Sequence, residues 1–175
     1  MELAHTIAAL QRELRLSTGS VVWIATAESA TAGRIADRLT GVPGASDYVA
    51  GGCIVYSNEA KRRLLGVSGE TLAAHGAVSA EVASEMAEGG RHALGADVCV
   101  ADTGIAGPGG ATATKPVGLF FLALATPSGC TVTRFLYSGD REGNKEAATQ
   151  SALSLLRDYL VQCCHSQGAN DHGSL

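Results

Sequence analysis

The chain has 175 residues, 46% of them hydrophobic and 17% charged, and carries a formal net charge of −4. That length is most simply one domain, large enough for a sizeable core. The acidic balance, without any basic run, excludes an electrostatic nucleic-acid surface, and no stretch is long and apolar enough to span a membrane.

Leu3, Ile7, Leu10 and Leu14 recur at helical spacing and predict an amphipathic first helix. No basic region followed by an apolar run stands at the start, so no signal peptide is expected. Val21 to Thr26 is apolar and β-branched and predicts the first strand; Thr31 to Leu39 predicts the second helix. Between them, Ala27-Glu28-Ser29-Ala30-Thr31-Ala32-Gly33 places Ser29 where strand runs into helix. A serine there can present its hydroxyl beyond the sheet edge, and the helix start offers N–H groups to an anion or oxyanion. An ordinary N-cap is the structural alternative.

Gly41 to Ser46 reads as a loop, Tyr48 to Tyr56 as the second strand, and Asn58 to Leu65 and Glu70 to Ala74 as short helices. Tyr56 and Lys61 fall near a strand's end, where α/β proteins place ligands. A desolvated lysine there can act as a base and a tyrosine hydroxyl can relay a proton, whereas a solvated helix face is the plainer account of Lys61. Ser57, four residues before Lys61, is a rival nucleophile or an N-cap, and His75 is an alternative base.

Ser79 is expected to cap a helix running through Leu94, and Val98 to Thr103 is the third strand. The following loop, Asp102 to Gly110, is rich in glycine and can bare N–H groups to a phosphate or carboxylate. It lacks the Lys-Ser/Thr of a P-loop and the third glycine of a dinucleotide fingerprint. Val117 to Thr126 and Thr131 to Tyr137 flank Pro127-Ser128-Gly129, a hairpin signal. Arg141 can clamp a phosphate or pair with Asp140 or Glu142; Lys115 gates a site or sits on the surface. Asn144 to Leu160 is the last helix, with Ala148, Leu153, Leu156 and Leu160 on its buried side. Residues 1–162 are expected to form the single domain and residues 163–175 a flexible tail.

Helices alternating with early strands, then a hairpin, imply an α/β fold: a three-layer α/β/α sandwich with a mixed β-sheet. Abundant Gly and Ala suggest close approach of backbone elements. Five scattered cysteines read as reduced thiols, so a cytoplasmic location is expected. The five histidines show no metal-ligand spacing, and no metal is expected.

Taken together, the segments Ala27 to Gly33, Tyr56 to Lys61, His75 to Ser79, Thr103 to Gly110, Lys115 to Gly118 and Gly139 to Arg141 resemble the CinA C-terminal domain family. The likeness runs in one collinear order from about Leu3 to Leu160. That family includes nicotinamide-nucleotide amidase, which hydrolyses the carboxamide of nicotinamide mononucleotide to nicotinate mononucleotide and ammonia. The resemblance implies Ser29 as nucleophile, activated by Lys61 with Tyr56, and no cofactor. It implies a substrate site lined by Ser46, Thr103, Gly104 and Gly107, with Arg141 on the nucleotide's phosphate. The expected partner is a small pyridine nucleotide rather than nucleic acid or membrane, and a homodimer is the expected assembly. The alternative function is a non-catalytic nucleotide-binding or regulatory module of the same fold. Ala30 and Ala32 depart from the family's common Glu-Ser-Cys-Thr-Gly-Gly, and Ala32 restricts backbone angles where glycine is frequent.

Overall fold

The computed structural model describes residues 2–168. In chain order these form α1 (Glu2–Thr18), β1 (Ile24–Glu28), α2 (Arg34–Thr40), a 3-10 turn (Ala45–Asp47), β2 (Val49–Ile54), α3 (Asn58–Leu65) and α4 (Gly69–His75). They continue with α5 (Ala80–Ala93), β3 (Val98–Gly104), β4 (Leu119–Thr126), β5 (Gly129–Leu136) and α6 (Arg141–Gly168). One five-stranded sheet has the order β2-β1-β3-β4-β5. β1 is parallel to both β2 and β3, while β3-β4 and β4-β5 are antiparallel. The mixed α/β sandwich expected from the sequence is therefore present. No helix among the described residues is long and apolar enough to cross a membrane.

Strand alternation sorts the core into two layers. Ile24, Val98, Val100, Leu122 and Leu124 face α1, α2 and α6. The opposite face is built from smaller residues, Ala25, Ala27, Cys99, Ala101, Ala123 and Ala125, and packs against α5. Small side chains there let α5 sit close to the sheet. A Cβ at Gly90 would meet the Cys99 Sγ at 2.7 Å, and one at Gly89 would meet the Leu65 carbonyl oxygen at 1.9 Å. The second contact is the seat of α3 against α5.

Element boundaries shift where distant side chains intervene. β1 starts at Ile24 rather than Val21 because the buried Gln11 takes up the backbone of Val22. Its Nε2 donates to the Val22 carbonyl at 2.7 Å and its Oε1 accepts the Val22 N–H at 3.0 Å. α2 starts at Arg34 rather than Thr31, because Ala32 and Gly33 take left-handed backbone angles, φ 55° and 94°. The expected tail is helical through Gly168, with Cys163 and Cys164 continuing the apolar face of α6 against the core; residues 169–175 lie outside the described residues.

Ala32 is exposed. A left-handed alanine costs ~1–2 kcal/mol, and glycine returns ~0.5–1 kcal/mol of that to chain entropy. Ala32→Gly is therefore expected to raise stability by roughly 0.5–1 kcal/mol, read as a thermal midpoint about 2 °C higher.

Candidate active site

The chain leaves β1 for β2 on one side and returns to β3 on the other, so the carboxyl ends of β1 and β3 diverge into a crevice. A cleft of about 300 Å³ opens there, lined by Ser29, Tyr56, Lys61, Thr103, Gly104, Gly107 and Arg141 among others. All but one of the site residues expected from the sequence are thus brought together.

The exception is Ser46. It lies exposed in the turn before β2, at the amino end of a strand that runs parallel to β1. Ser29 follows the carboxyl end of β1, so the six residues of β2 separate them, about 20 Å of strand. Ser57 also stays out of the cleft: it caps α3, accepting the Ala60 N–H at 3.1 Å. His75 faces Glu81 at 3.4 Å outside the cleft, and Lys115 donates to the His75 carbonyl, pinning the loop before β4 to the end of α4.

Lys61 is 1% exposed. Its Nζ stands 3.0 Å from the Ser29 Oγ, 2.8 Å from the Val55 carbonyl and 3.3 Å from the Tyr56 carbonyl. Burial pushes its pKa below the ordinary lysine range, and the nearby Asp102 carboxylate opposes part of that shift. In the neutral amine two N–H bonds serve the two carbonyls, and the lone pair is left for the serine hydroxyl. The sequence suggested a proton relay through the Tyr56 hydroxyl. The structure instead gives Lys61 the Tyr56 backbone carbonyl, while the exposed Tyr56 hydroxyl accepts from the Arg141 guanidinium at 3.3 Å.

Two buried acids that the sequence reading passed over hold the turn at Ser29. Asp102, two residues before the end of β3, accepts the N–H groups of Ser29 (3.0 Å), Ala30 (2.8 Å) and Thr31 (3.2 Å), together with the Thr31 hydroxyl. Burial pushes Asp102 up to about 6, against the hydrogen bond from Thr31. Glu28 ends β1 and accepts from Gly33 (2.8 Å), Ile35 (3.1 Å) and Ala36 (2.9 Å), and its Oε2 stands 2.7 Å from the Thr31 hydroxyl oxygen, whose single proton lies between the two carboxylates. These carboxylates fill the N–H groups at the start of α2, so the oxyanion site expected there from the sequence is already occupied by the protein's own acids. Their signal was present: each is the one charged residue of its strand.

The loop after β3 is a further source of donors. Asn144, fully buried, donates from Nδ2 to the Ala106 carbonyl at 3.0 Å and accepts the Gly139 N–H at 2.9 Å. Arg141 donates to the Gly107 carbonyl at 2.8 Å. With the Ala106 carbonyl fixed on Asn144, the planar trans peptide turns the Gly107 N–H to the opposite side. Among the described residues no backbone hydrogen bond is donated by Ala106, Gly107, Gly109 or Gly110, all of which line the cleft. Thr103 donates its hydroxyl to the Ala77 carbonyl at 2.7 Å and so fixes the cleft wall between α4 and α5. Asp140 caps α6 by accepting the Gly143 N–H at 2.8 Å, and Glu142 pairs with Arg34, which leaves neither acid on Arg141.

A family model described as the CinA C-terminal domain matches residues 7–160. A CinA-like protein of Mycolicibacterium paratuberculosis is 54% identical over 143 residues, covering 79% of this chain and 33% of that protein. A CinA-like protein of Citrifermentans bemidjiense is 47% identical over 160 residues, covering 91% of this chain and 37% of its own length. The chain thus spans about a third of the length of the curated relatives it matches. Among solved structures, the competence/damage inducible protein CihA from Agrobacterium tumefaciens superposes with a TM-score of 0.82 at 37% identity, covering 89% of this chain and 94% of that one. A competence or damage-inducible protein from Enterobacter asburiae gives 0.83 at 31% identity, covering 91% and 96%. A match over nearly all of the folded core, with the same architecture in solved relatives, leads to one assignment: the chain belongs to the CinA C-terminal domain family.

Proposed function

We propose that this cleft hydrolyses a carboxamide, and that its substrate is a pyridine nucleotide, nicotinamide mononucleotide, released as nicotinate mononucleotide and ammonia. The observation that carries the reading is the buried Lys61 amine set 3.0 Å from the Ser29 hydroxyl, with its other positions taken by backbone carbonyls. A free serine is too weak a nucleophile for an amide at neutral pH and needs an adjacent base.

In this reading the Ser29 hydroxyl passes its proton to neutral Lys61 as Oγ bonds to the amide carbon. The negative charge on the tetrahedral oxygen is met by N–H groups of the Ala106 to Gly110 loop, a donor of this kind contributing typically ~3 kcal/mol to the barrier. Protonated Lys61 then returns the proton to the departing nitrogen, and ammonia leaves an acyl-Ser29 ester. Water, deprotonated by the same amine, cleaves the ester and restores the serine. Arg141 at the mouth supplies a fixed cation for a phosphate. The cleft volume of about 300 Å³ falls within the range of small-molecule sites.

The test is ammonia release from nicotinamide mononucleotide by the purified chain, followed in a coupled assay. Steady release supports the reading. Saturable calorimetric binding without ammonia replaces it with the non-catalytic nucleotide-binding module.

The protonation state of Lys61 gives a further expectation. Only the neutral amine accepts the serine proton, so kcat/KM rises with pH and levels off above the Lys61 pKa. Because burial lowers that pKa, the midpoint of the rising limb lies below the ordinary lysine value of 10.5. Asp102 raises the Lys61 pKa, so Asp102→Asn is expected to move the midpoint to lower pH still. A pH–rate series on both proteins measures it.

A further inference from the structure

Asn144 sits in the first turn of α6, fully buried, and does not itself line the cleft. Both ends of its amide are spent on loop backbone, Nδ2 on the Ala106 carbonyl and Oδ1 on the Gly139 N–H. Its own N–H donates to the Asp140 carbonyl at 2.8 Å, so the residue is fixed from three directions.

The same turn of α6 also takes the next carbonyl of the loop, since Arg141 donates to Gly107. Successive carbonyls of an extended chain alternate in direction, so two that meet one helix end need a residue outside the extended region between them. Gly107 is that residue, with φ at 94°, and a Cβ there would stand 2.7 Å from the Val117 Cγ1. The Gly107 N–H, trans to the Ala106 carbonyl, is turned away from Asn144 and has no backbone acceptor among the described residues. Ala106 and Gly107 both line the cleft that holds Ser29.

The geometry points to Asn144 as the positioning residue of the oxyanion site: by holding the Ala106 carbonyl it aims the Gly107 N–H at the oxygen of a tetrahedral centre on Ser29. The inference rests on the amide hydrolysis proposed above. A planar amide or a released carboxylate does not put its oxygen where that centre does, so the contribution of Asn144 belongs to the transition state and not to ground-state binding.

The test uses Asn144→Leu, close to asparagine in size, and Asn144→Ala, whose gap a water can enter, each checked for folding by circular dichroism. Two ligands are titrated by calorimetry. Nicotinate mononucleotide reports the ground-state cleft. Pyridine-3-boronate reports the tetrahedral one: its boron accepts an electron pair from the Ser29 Oγ while the serine proton passes to Lys61, leaving an anionic tetrahedral adduct. Both variants are expected to bind the boronate at least about tenfold more weakly than the parent and nicotinate mononucleotide within about threefold of it. Their kcat on nicotinamide mononucleotide should fall on the order of 10²-fold at similar KM. Unchanged boronate affinity in a folded variant overturns the inference. So does an equal loss for both ligands, or a failure of both variants to fold, either of which makes Asn144 a general prop of the cleft. A parent that takes up no boronate overturns it as well. A parent that takes up boronate yet releases no ammonia fails the substrate assignment alone, and the boronate comparison still decides the role of Asn144.

Discussion

Ammonia release should fall by roughly 10⁴-fold or more in Lys61→Met and by a similar factor in Ser29→Ala, and the double variant should be no worse than either. In the proposed mechanism the pair acts as a unit: without the amine the serine keeps its proton, and without the serine the amine has nothing to activate. Lys61→Met also tests whether the lysine is structural. Removing it leaves the Val55 and Tyr56 carbonyls without the donors they now have. That loss, ~1–3 kcal/mol per buried group, is offset by no longer holding an amine away from water, and methionine keeps the stem's packing. A folded protein of near-parental thermal midpoint and no activity is the expected outcome. Activity within tenfold of the parent would remove Lys61 from the mechanism.

Gly89→Ala is expected to damage both fold and rate, although it lies outside the cleft. By helix propensity alone the substitution in mid-α5 gains about 1 kcal/mol. Against that, the new Cβ would sit 1.9 Å from the Leu65 carbonyl oxygen, a backbone atom with no rotamer to yield. Overpacking of this kind costs ~1–3 kcal/mol and more where backbone must move, so the clash wins. The net loss is expected at about 2 kcal/mol or more, seen as a thermal midpoint roughly 4–8 °C lower. α3 must move away from α5, and α3 carries Lys61. A shift of 1 Å in a reacting group costs on the order of 10²-fold, so kcat should drop with the Lys61–Ser29 separation while the cleft still binds nucleotide. Unchanged kcat at a lowered midpoint would show that α3 absorbs the displacement elsewhere.

The features legible in the sequence were those set by short-range chemistry. Ser57 and Ser79 cap the helices that follow them, accepting from Ala60 and Val82, because capping needs only three residues of chain. The hairpin at Pro127-Ser128 formed for the same reason, with Thr126 paired to Gly129. The start of α2 was misread because it is decided by Glu28 and Asp102, the latter more than 70 residues away in the chain. The first strand was read too early because Gln11 reaches across from another helix. In the site, Ser29, Lys61, Thr103, Gly104, Gly107 and Arg141 converge on one cleft, since each follows or borders a strand's carboxyl end. Ser46 does not, because it precedes its strand. The Tyr56 hydroxyl was given a place that its own carbonyl occupies: periodicity locates a residue but does not say which of its atoms faces inward. Asn144, which aims the glycine loop, was visible only as one polar position at the head of an amphipathic helix.

The two sealed acids beneath Ser29 also give the cleft a polarity. Glu28 and Asp102 are wholly buried behind the serine, while Arg141 stands exposed at the entrance. A negatively charged group is drawn to the entrance and repelled from the floor, whereas a neutral amide meets no such barrier on its way down. On the proposed function a nucleotide would be sorted end for end as it arrives, amide first and phosphate last, and the carboxylate formed at the floor would be pushed outward by the same field. Entry and ejection would then draw on one fixed set of charges.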